Sequence, residues 1–291
     1  MLLDDSYDGN KKIYYHLYMR CKKLYGEKDE VTLVCQCGYA SAPFQNGEYL
    51  ESEKIFQYLS EVTSADVKQS SYLLAINNYI MILKKTRNLE KFSEIIENEY
   101  SFVKSRIRQD FKLCMDFLIN ACDFYSDFGK FIKALTISKD VINILNKDNE
   151  DRREANQKRV AIHLSVGVTY SQMGKYDCSE EEYKKALKIA KKYFSKNYAK
   201  NAEIYFNRAI NNRRRKEFKK ARKELIYSEK IIDNLGGDTW EHMKGKIEKE
   251  RNLINEEMEG INWKEHCLLT KRFYRKEKKS EKISSRYEDD I

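Results

Sequence analysis

The sequence predicts an all-α protein of five to six helical hairpins preceded by one further helix, and three observations carry that reading. Helix-breaking residues are scarce, with one proline and 11 glycines in 291 residues, and a helix interior tolerates neither well. Charged residues make up 35% of the chain and apolar residues 41%, the balance of long amphipathic helices with one face in water. A short pattern also recurs. Gly174-Lys175-Tyr176 has counterparts in Gly129-Lys130-Phe131, Lys216-Glu217-Phe218, Arg87-Asn88-Leu89 and Gly47-Glu48-Tyr49. The anchors at 49, 89, 131, 176 and 218 are therefore 40, 42, 45 and 42 residues apart, and a steady period of that length marks stacked helical repeats.

In chain order, residues 1–30 hold one helix, Asn10 to Tyr25, closed by Gly26 and placed to cover the open end of a stack. Repeats then fill 31–259, with hairpins over 31–62, 73–102, 115–147, 160–193 and 202–232. In the first of these, Pro43 stands where other repeats carry an aromatic residue, so the helix is expected to end or kink near Ala42. An apolar run at helical spacing precedes each anchor: Leu118, Ala121, Cys122 and Tyr125 before Phe131; His163, Val166, Gly167 and Tyr170 before Tyr176; Tyr205, Arg208, Ala209 and Asn212 before Phe218. Small residues recur where two helices approach closely, and aromatic ones where the gap between repeats is filled. Gly236-Gly237 before Asp238 reads as a helix C-cap followed by an N-cap. A sixth hairpin extends from Asp238 to about Lys279, turning at Gly260, unless the charged KRFYRKEKKSEK end is only a solvated cap; residues 260–291 are a charged helix and tail.

Several function classes drop out. No window reaches the roughly 18 consecutive apolar residues of a membrane span, and the N-terminus has no apolar run of signal-peptide length, which points to a cytoplasmic protein with no membrane partner. Seven cysteines, at 21, 35, 37, 114, 122, 178 and 267, show neither disulfide-framework nor zinc spacing. Cys35 and Cys37 would point to nearly opposite sides of a helix and read as ordinary buried thiols. His16, His163, His242 and His266 are too scattered for a metal site. Phosphate loops, H-E-x-x-H and G-x-S-x-G are all missing. The sequence thus predicts no catalytic residues, no cofactor and no metal.

Around Tyr176 the sequence resembles the tetratricopeptide repeat (TPR), whose pattern is nearly complete at His163, Val166-Gly167, Tyr170, Gly174-x-Tyr176, Ser179, Tyr183 and Ala186. The period here is about 42 residues against about 34 in that family, and the family's usual proline after the second helix is missing, so longer helices or loops are expected. The resemblance implies a right-handed superhelix whose first helices line a concave groove suited to an extended peptide or a partner helix. On the family's pattern the groove would present Asn77, Met81 and Lys84; Ile119, Asp123 and Ser126; Leu164, Val168 and Gln172; then Phe206, Asn207, Ile210 and Arg213. Amides such as Asn77 and Asn207 could bind a ligand backbone, or be plain surface amides. Leu164 and Val168 stand at two positions where some members of the family grip a terminal carboxylate, which disfavours that mode. The chain also resembles, loosely, the repeat domains of Gram-positive peptide-pheromone receptors, the Rap, Rgg and PlcR group, without their helix-turn-helix domain.

The expected function is non-enzymatic capture of a peptide or partner-protein segment in a regulatory or sensing role. The alternative rests on charge. Residues 151–230 hold 22 Lys and Arg against 10 Asp and Glu, a net +12, which against +9 for the whole chain leaves −3 elsewhere. The run from Asn211 to Lys223 could attract an acidic partner or, as the less favoured case, nucleic acid. It could equally be a solvated face: Lys184, Lys185, Lys191, Lys192 and Lys196 fall on second helices with glutamates interleaved, and only Arg213, at most with Arg214, would reach the groove. Self-association into a homo-oligomer through an uncapped terminal repeat is a third reading.

Overall fold

The computed structural model of the protein describes residues 4–45, 48–64, 70–147, 153–196, 198–237 and 240–260, and among the described residues there are helices and no strands. In order these are α1 Asp4–Tyr25, α2 Glu30–Gln45, α3 Tyr49–Ser64, α4 Ser70–Thr86, α5 Leu89–Ser105, α6 Phe111–Asp127, α7 Phe131–Lys147, α8 Arg153–Gln172, α9 Tyr176–Tyr193, α10 Ala199–Arg214 and α11 Phe218–Leu235. A further helix, α12, covers 241–260. Each sequence anchor, Tyr49, Leu89, Phe131, Tyr176 and Phe218, is the first residue of a second helix. The long period is absorbed by helices of 16 to 20 residues joined by short turns. The charged tail and the second half of a sixth hairpin lie outside the described residues, as do Gly47, Asp238, His266 and Cys267.

One backbone device makes the turn within each of the four hairpins α4–α5, α6–α7, α8–α9 and α10–α11. Arg87, Gly129, Gly174 and Lys216 have φ of 57°, 70°, 74° and 62°, and the next residue's N–H reaches back five positions: Asn88 to Leu83 O, Lys130 to Tyr125 O, Lys175 to Tyr170 O and Glu217 to Asn212 O, at 2.7–3.0 Å. This left-handed helix end satisfies carbonyls that would otherwise be orphaned. In the first repeat Glu48 donates the same bond to Pro43 O at 2.8 Å. The expectation was an end or a kink near Ala42; α2 runs through Pro43 and ends at Gln45, three residues past Ala42. Pro43 has no N–H to donate to Tyr39 O, while its own carbonyl, in the last turn of α2, takes the capping bond from Glu48.

The chain divides into two compact units between Ile189 and Ala190. In the first, α2, α4, α6 and α8 pack side by side as one layer, while α3, α5 and α7 each pack on their own first helix and the next. The core is continuous from Leu33 and Phe56 through Ile76, Phe92, Phe117 and Phe124 to Ile162 and Val166. Phe92 of α5 stacks on Phe124 of α6, with ring centroids 3.4 Å apart, and meets Tyr125 edge-on, so aromatic rings fill the space between successive repeats. Second helices are also joined to each other. Lys91 pairs with Glu53 at 3.3 Å, Lys133 with Glu97 at 2.8 Å, and Asp140 accepts from both Tyr100 and Lys104 at 2.7 and 2.9 Å.

At the N-terminal end α1 packs along α2, beginning six residues before the predicted Asn10. Its Tyr14 ring lies over Gly38, and a Cβ there would come within 2.9 Å of it. In the second unit α10 and α11 form a hairpin around Ala202, Ala209, Ala221, Leu225 and Ile232, and Ile247 and Ile254 of α12 join the same core. Gly236 caps α11, its N–H bonded to Ile232 O at 3.1 Å.

Candidate functional site

A pocket of about 330 Å³ opens in the second unit between α10 and α12, lined by Glu203, Phe206, Asn207, Trp240, His242, Met243 and Lys246. Phe206, Trp240 and Met243 form its apolar wall and pack from behind on the α10–α11 core, so the wall is held in place before any ligand arrives. On α10, residues three and four apart share a face, which brings Glu203, Phe206 and Asn207 to the same opening. Asn207 donates to Glu203 O at 2.8 Å; this fixes the amide while using only one of its two N–H groups. Glu203 pairs with Lys200 at 2.7 Å. His242 and Lys246 are exposed on the rim. Ligand pockets run from about 300 to 1,000 Å³, so this one holds a bulky side chain or two, with polar groups at its edge.

Two of the sequence-predicted groove residues, Phe206 and Asn207, line this pocket. Ile210 lies one turn further along α10, half-buried. Arg213 has a different role from the one expected. It is 16% exposed and forms ion pairs with Glu250, at 2.6 Å, and with Glu257, both on α12. The groove end of the basic run is thus neutralised within the protein.

In the first unit, the predicted positions mostly join one helix to the next. Asn77 is 7% exposed, and its amide nitrogen donates to Leu73 O at 2.8 Å and Leu113 O at 3.0 Å. It is neither an open groove amide nor a surface one, because it ties α4 to α6. Lys84 pairs with Asp127 at 2.9 Å, and Gln172 accepts from Ser126 at 2.7 Å. Ile119 and Leu164 are buried at 8% and 7% exposure. Met81, Asp123 and Val168 are half-buried.

The lysines on second helices are exposed and paired with nearby carboxylates where the geometry allows, Lys184 with Glu180 and Lys185 with Glu182. Lys220 pairs with Glu217 and Arg208 with Glu224. Among the described residues no cluster of His, Cys, Asp and Glu could hold a metal, and no helix is long and apolar enough to cross a membrane.

The tetratricopeptide repeat family model matches residues 159–225, the stretch that holds most of α8, α9, α10 and the start of α11. That stretch is similar to the tetratricopeptide repeat. A crystal structure of NprR in complex with its cognate peptide NprX is similar over 87% of this chain, with a TM-score of 0.53 and 14% identity. At that identity the likeness is one of fold, and the chain spans 64% of the NprR chain. No curated protein matches.

Trp240, His242, Met243 and Lys246 escaped the sequence reading because the family pattern was carried only as far as the fifth repeat. The signal was present: a tryptophan and a methionine open the helix after Gly236-Gly237, where the next first helix of a TPR stack belongs.

Proposed function

We propose that this chain is a non-enzymatic, cytoplasmic binding protein that captures a peptide or a segment of a partner protein, and that the pocket between α10 and α12 anchors one bulky apolar side chain of it. The observation that carries this reading is the convergence of Phe206, Trp240 and Met243 on a pocket edged by Asn207, Glu203, His242 and Lys246. An apolar slot with amide and charged groups at its rim suits a segment that buries a side chain while its backbone stays hydrogen-bonded. A fold shared with a protein solved with its peptide bound supports a peptide as the ligand. The half-buried Met81 and Val168 offer further apolar contacts within the first unit. The basic run is assigned no partner, since Arg213 is held by Glu250 and Glu257.

The test is selection from a random peptide library, followed by titration of the selected peptides against Trp240 fluorescence in a Trp263→Phe background. The expected result is a consensus with one large apolar side chain, a shift in Trp240 emission on binding, and at least ten-fold weaker binding by Phe206→Ala or Met243→Ala, a loss of about 1.4 kcal/mol. Peptides that bind both variants as well as the parent would place the ligand elsewhere.

A further inference from the structure

Cys21 on α1 and Cys35 on α2 come from positions 14 residues apart in the chain, yet their sulfurs lie 3.6 Å from each other. Both are half-buried, reachable from solvent but held against a neighbouring helix. The other described cysteines have no such arrangement. Cys37, Cys114 and Cys122 are buried, and burial pushes the Cys37 and Cys114 thiols up to about 12. Cys178 is exposed, on α9.

We propose that Cys21 and Cys35 are an oxidisable thiol pair that closes to an intrachain disulfide and fastens α1 to α2. The sulfurs must approach from contact distance to about 2.05 Å, a movement within the reach of side-chain rotation on two helices already packed together. The oxidant we name is a low-molecular-weight disulfide such as oxidised glutathione. One protein thiol loses its proton and attacks the oxidant's S–S bond, forming a mixed disulfide and releasing one glutathione thiolate. The second protein thiol then loses its proton and attacks the protein sulfur of that mixed disulfide, forming the Cys21–Cys35 bond and expelling the second glutathione. Two electrons pass from the protein to the oxidant, which leaves as two thiols.

The surroundings favour ring closure over a persistent mixed disulfide, because the partner thiol is already in contact. Burial first, and the Cys21 thiol beside it second, hold the Cys35 pKa above its ordinary value, so closure should accelerate with rising pH. The consequence is mechanical. α1 shows water a series of large apolar side chains, Ile13, Leu17 and Leu24 among them, so much of its apolar surface lies outside the contact with α2, and a covalent link would hold it there.

The full chain would be equilibrated with oxidised and reduced glutathione at increasing ratios, alkylated and digested. The expected result is a linked peptide pair containing Cys21 and Cys35, a loss of the mass of two hydrogens from the monomer, and reversal by dithiothreitol. Cys21→Ser and Cys35→Ser should abolish the link, and Cys178→Ser should leave it unchanged. Hydrogen exchange across residues 12–25 should slow at least ten-fold on oxidation. Glutathione adducts on Cys21 or Cys35 without the link would overturn the proposal, as would intermolecular dimers alone. A link that leaves exchange in α1 unchanged would overturn its fastening role.

Discussion

Gly167 on α8 faces the Tyr183 ring of α9 so closely that a Cβ at residue 167 would lie 2.3 Å from a ring carbon. Ser179, one turn before Tyr183, donates to Gly167 O at 2.6 Å. The two helices thus touch at a point where one has no side chain and the other fills the space with a ring that is fully buried. The first repeat shows the same hydrogen bond, from Ser52 to Ala40 O at 2.9 Å, which aligns it with the fourth.

Gly167→Ala should therefore destabilise the protein by about 1–3 kcal/mol, since a buried aromatic ring can yield only by moving the helix that carries it. Ser179→Ala, which removes a buried hydrogen bond and little volume, should cost about 1 kcal/mol. Urea denaturation followed by circular dichroism measures both. An unchanged midpoint for Gly167→Ala would mean that the contact is looser than the geometry shows.

The four αL turn positions separate two kinds of repeat. Gly129 and Gly174 adopt positive φ without strain, whereas Arg87 and Lys216 hold it with a side chain, at a cost of about 1–2 kcal/mol relative to right-handed backbone. Lys216 is exposed, so Lys216→Gly should stabilise the second unit by about 0.5–1 kcal/mol after glycine's greater unfolded-state entropy is subtracted. The Arg87 guanidinium lies 5.0 Å from the centre of the Phe128 ring, an attraction of about 0.5–1 kcal/mol. Arg87→Gly should consequently be near neutral. Equal stabilisation by both substitutions would show that the Arg87–Phe128 contact contributes nothing.

That comparison also shows what the sequence made legible. The period, the five anchors and the turn position were readable, because the backbone repeats a geometry whether the turn residue is glycine, arginine or lysine. The candidate site was read only in part. The repeat register put Phe206 and Asn207 on the face that lines the pocket, but the rest of the lining, Trp240, His242, Met243 and Lys246 with Glu203, lies largely after Gly236-Gly237, beyond the fifth repeat to which the family pattern was carried. Asn77 and Arg213 misled for a common reason. Register places a residue on a face, and whether its polar head is consumed by a neighbouring helix depends on contacts about one repeat away, with Leu113 in one case and Glu250 in the other. The Cys21–Cys35 contact was equally invisible, since it depends on how α1 lies along α2.

Acid should loosen the α8–α9 hairpin. Glu182 accepts a hydrogen bond from the His163 ring at 2.6 Å and one from Lys185 at 2.6 Å. Burial alone would raise this carboxyl's pKa, but the His163 and Lys185 hydrogen bonds outweigh it and hold the pKa below its ordinary value of 4.5. A group depressed in the folded state stabilises the fold above its unfolded pKa and loses that contribution as pH falls through the folded one. Thermal unfolding from neutral pH to below pH 4.5 should show a loss that Glu182→Gln removes in part, with the variant less stable than the parent at neutral pH. Parallel curves for the two proteins would assign the acid sensitivity to other carboxylates, such as Asp140, which Lys104 and Tyr100 hold down in the same way.

Arg213 and Glu250 supply the sharpest distinction between a structural and a ligand-binding role for the basic run. Glu250 is 6% exposed, and its carboxylate is met by Arg213 Nε at 2.6 Å. Removing the arginine leaves a charge sealed from water, and breaking a buried pair in this way costs about 3–5 kcal/mol. Arg213→Met should therefore destabilise the second unit strongly, and Glu250→Leu added to it should restore most of the loss, because the apolar pair no longer carries a desolvated charge. If Arg213 instead served an acidic ligand, Arg213→Met would weaken that binding with little change in stability. Adding Glu250→Leu would then rescue nothing. A double-mutant cycle by chemical denaturation decides between the two, and a coupling energy under about 0.5 kcal/mol, the level at which independent sites add, would remove Arg213 from the structural account.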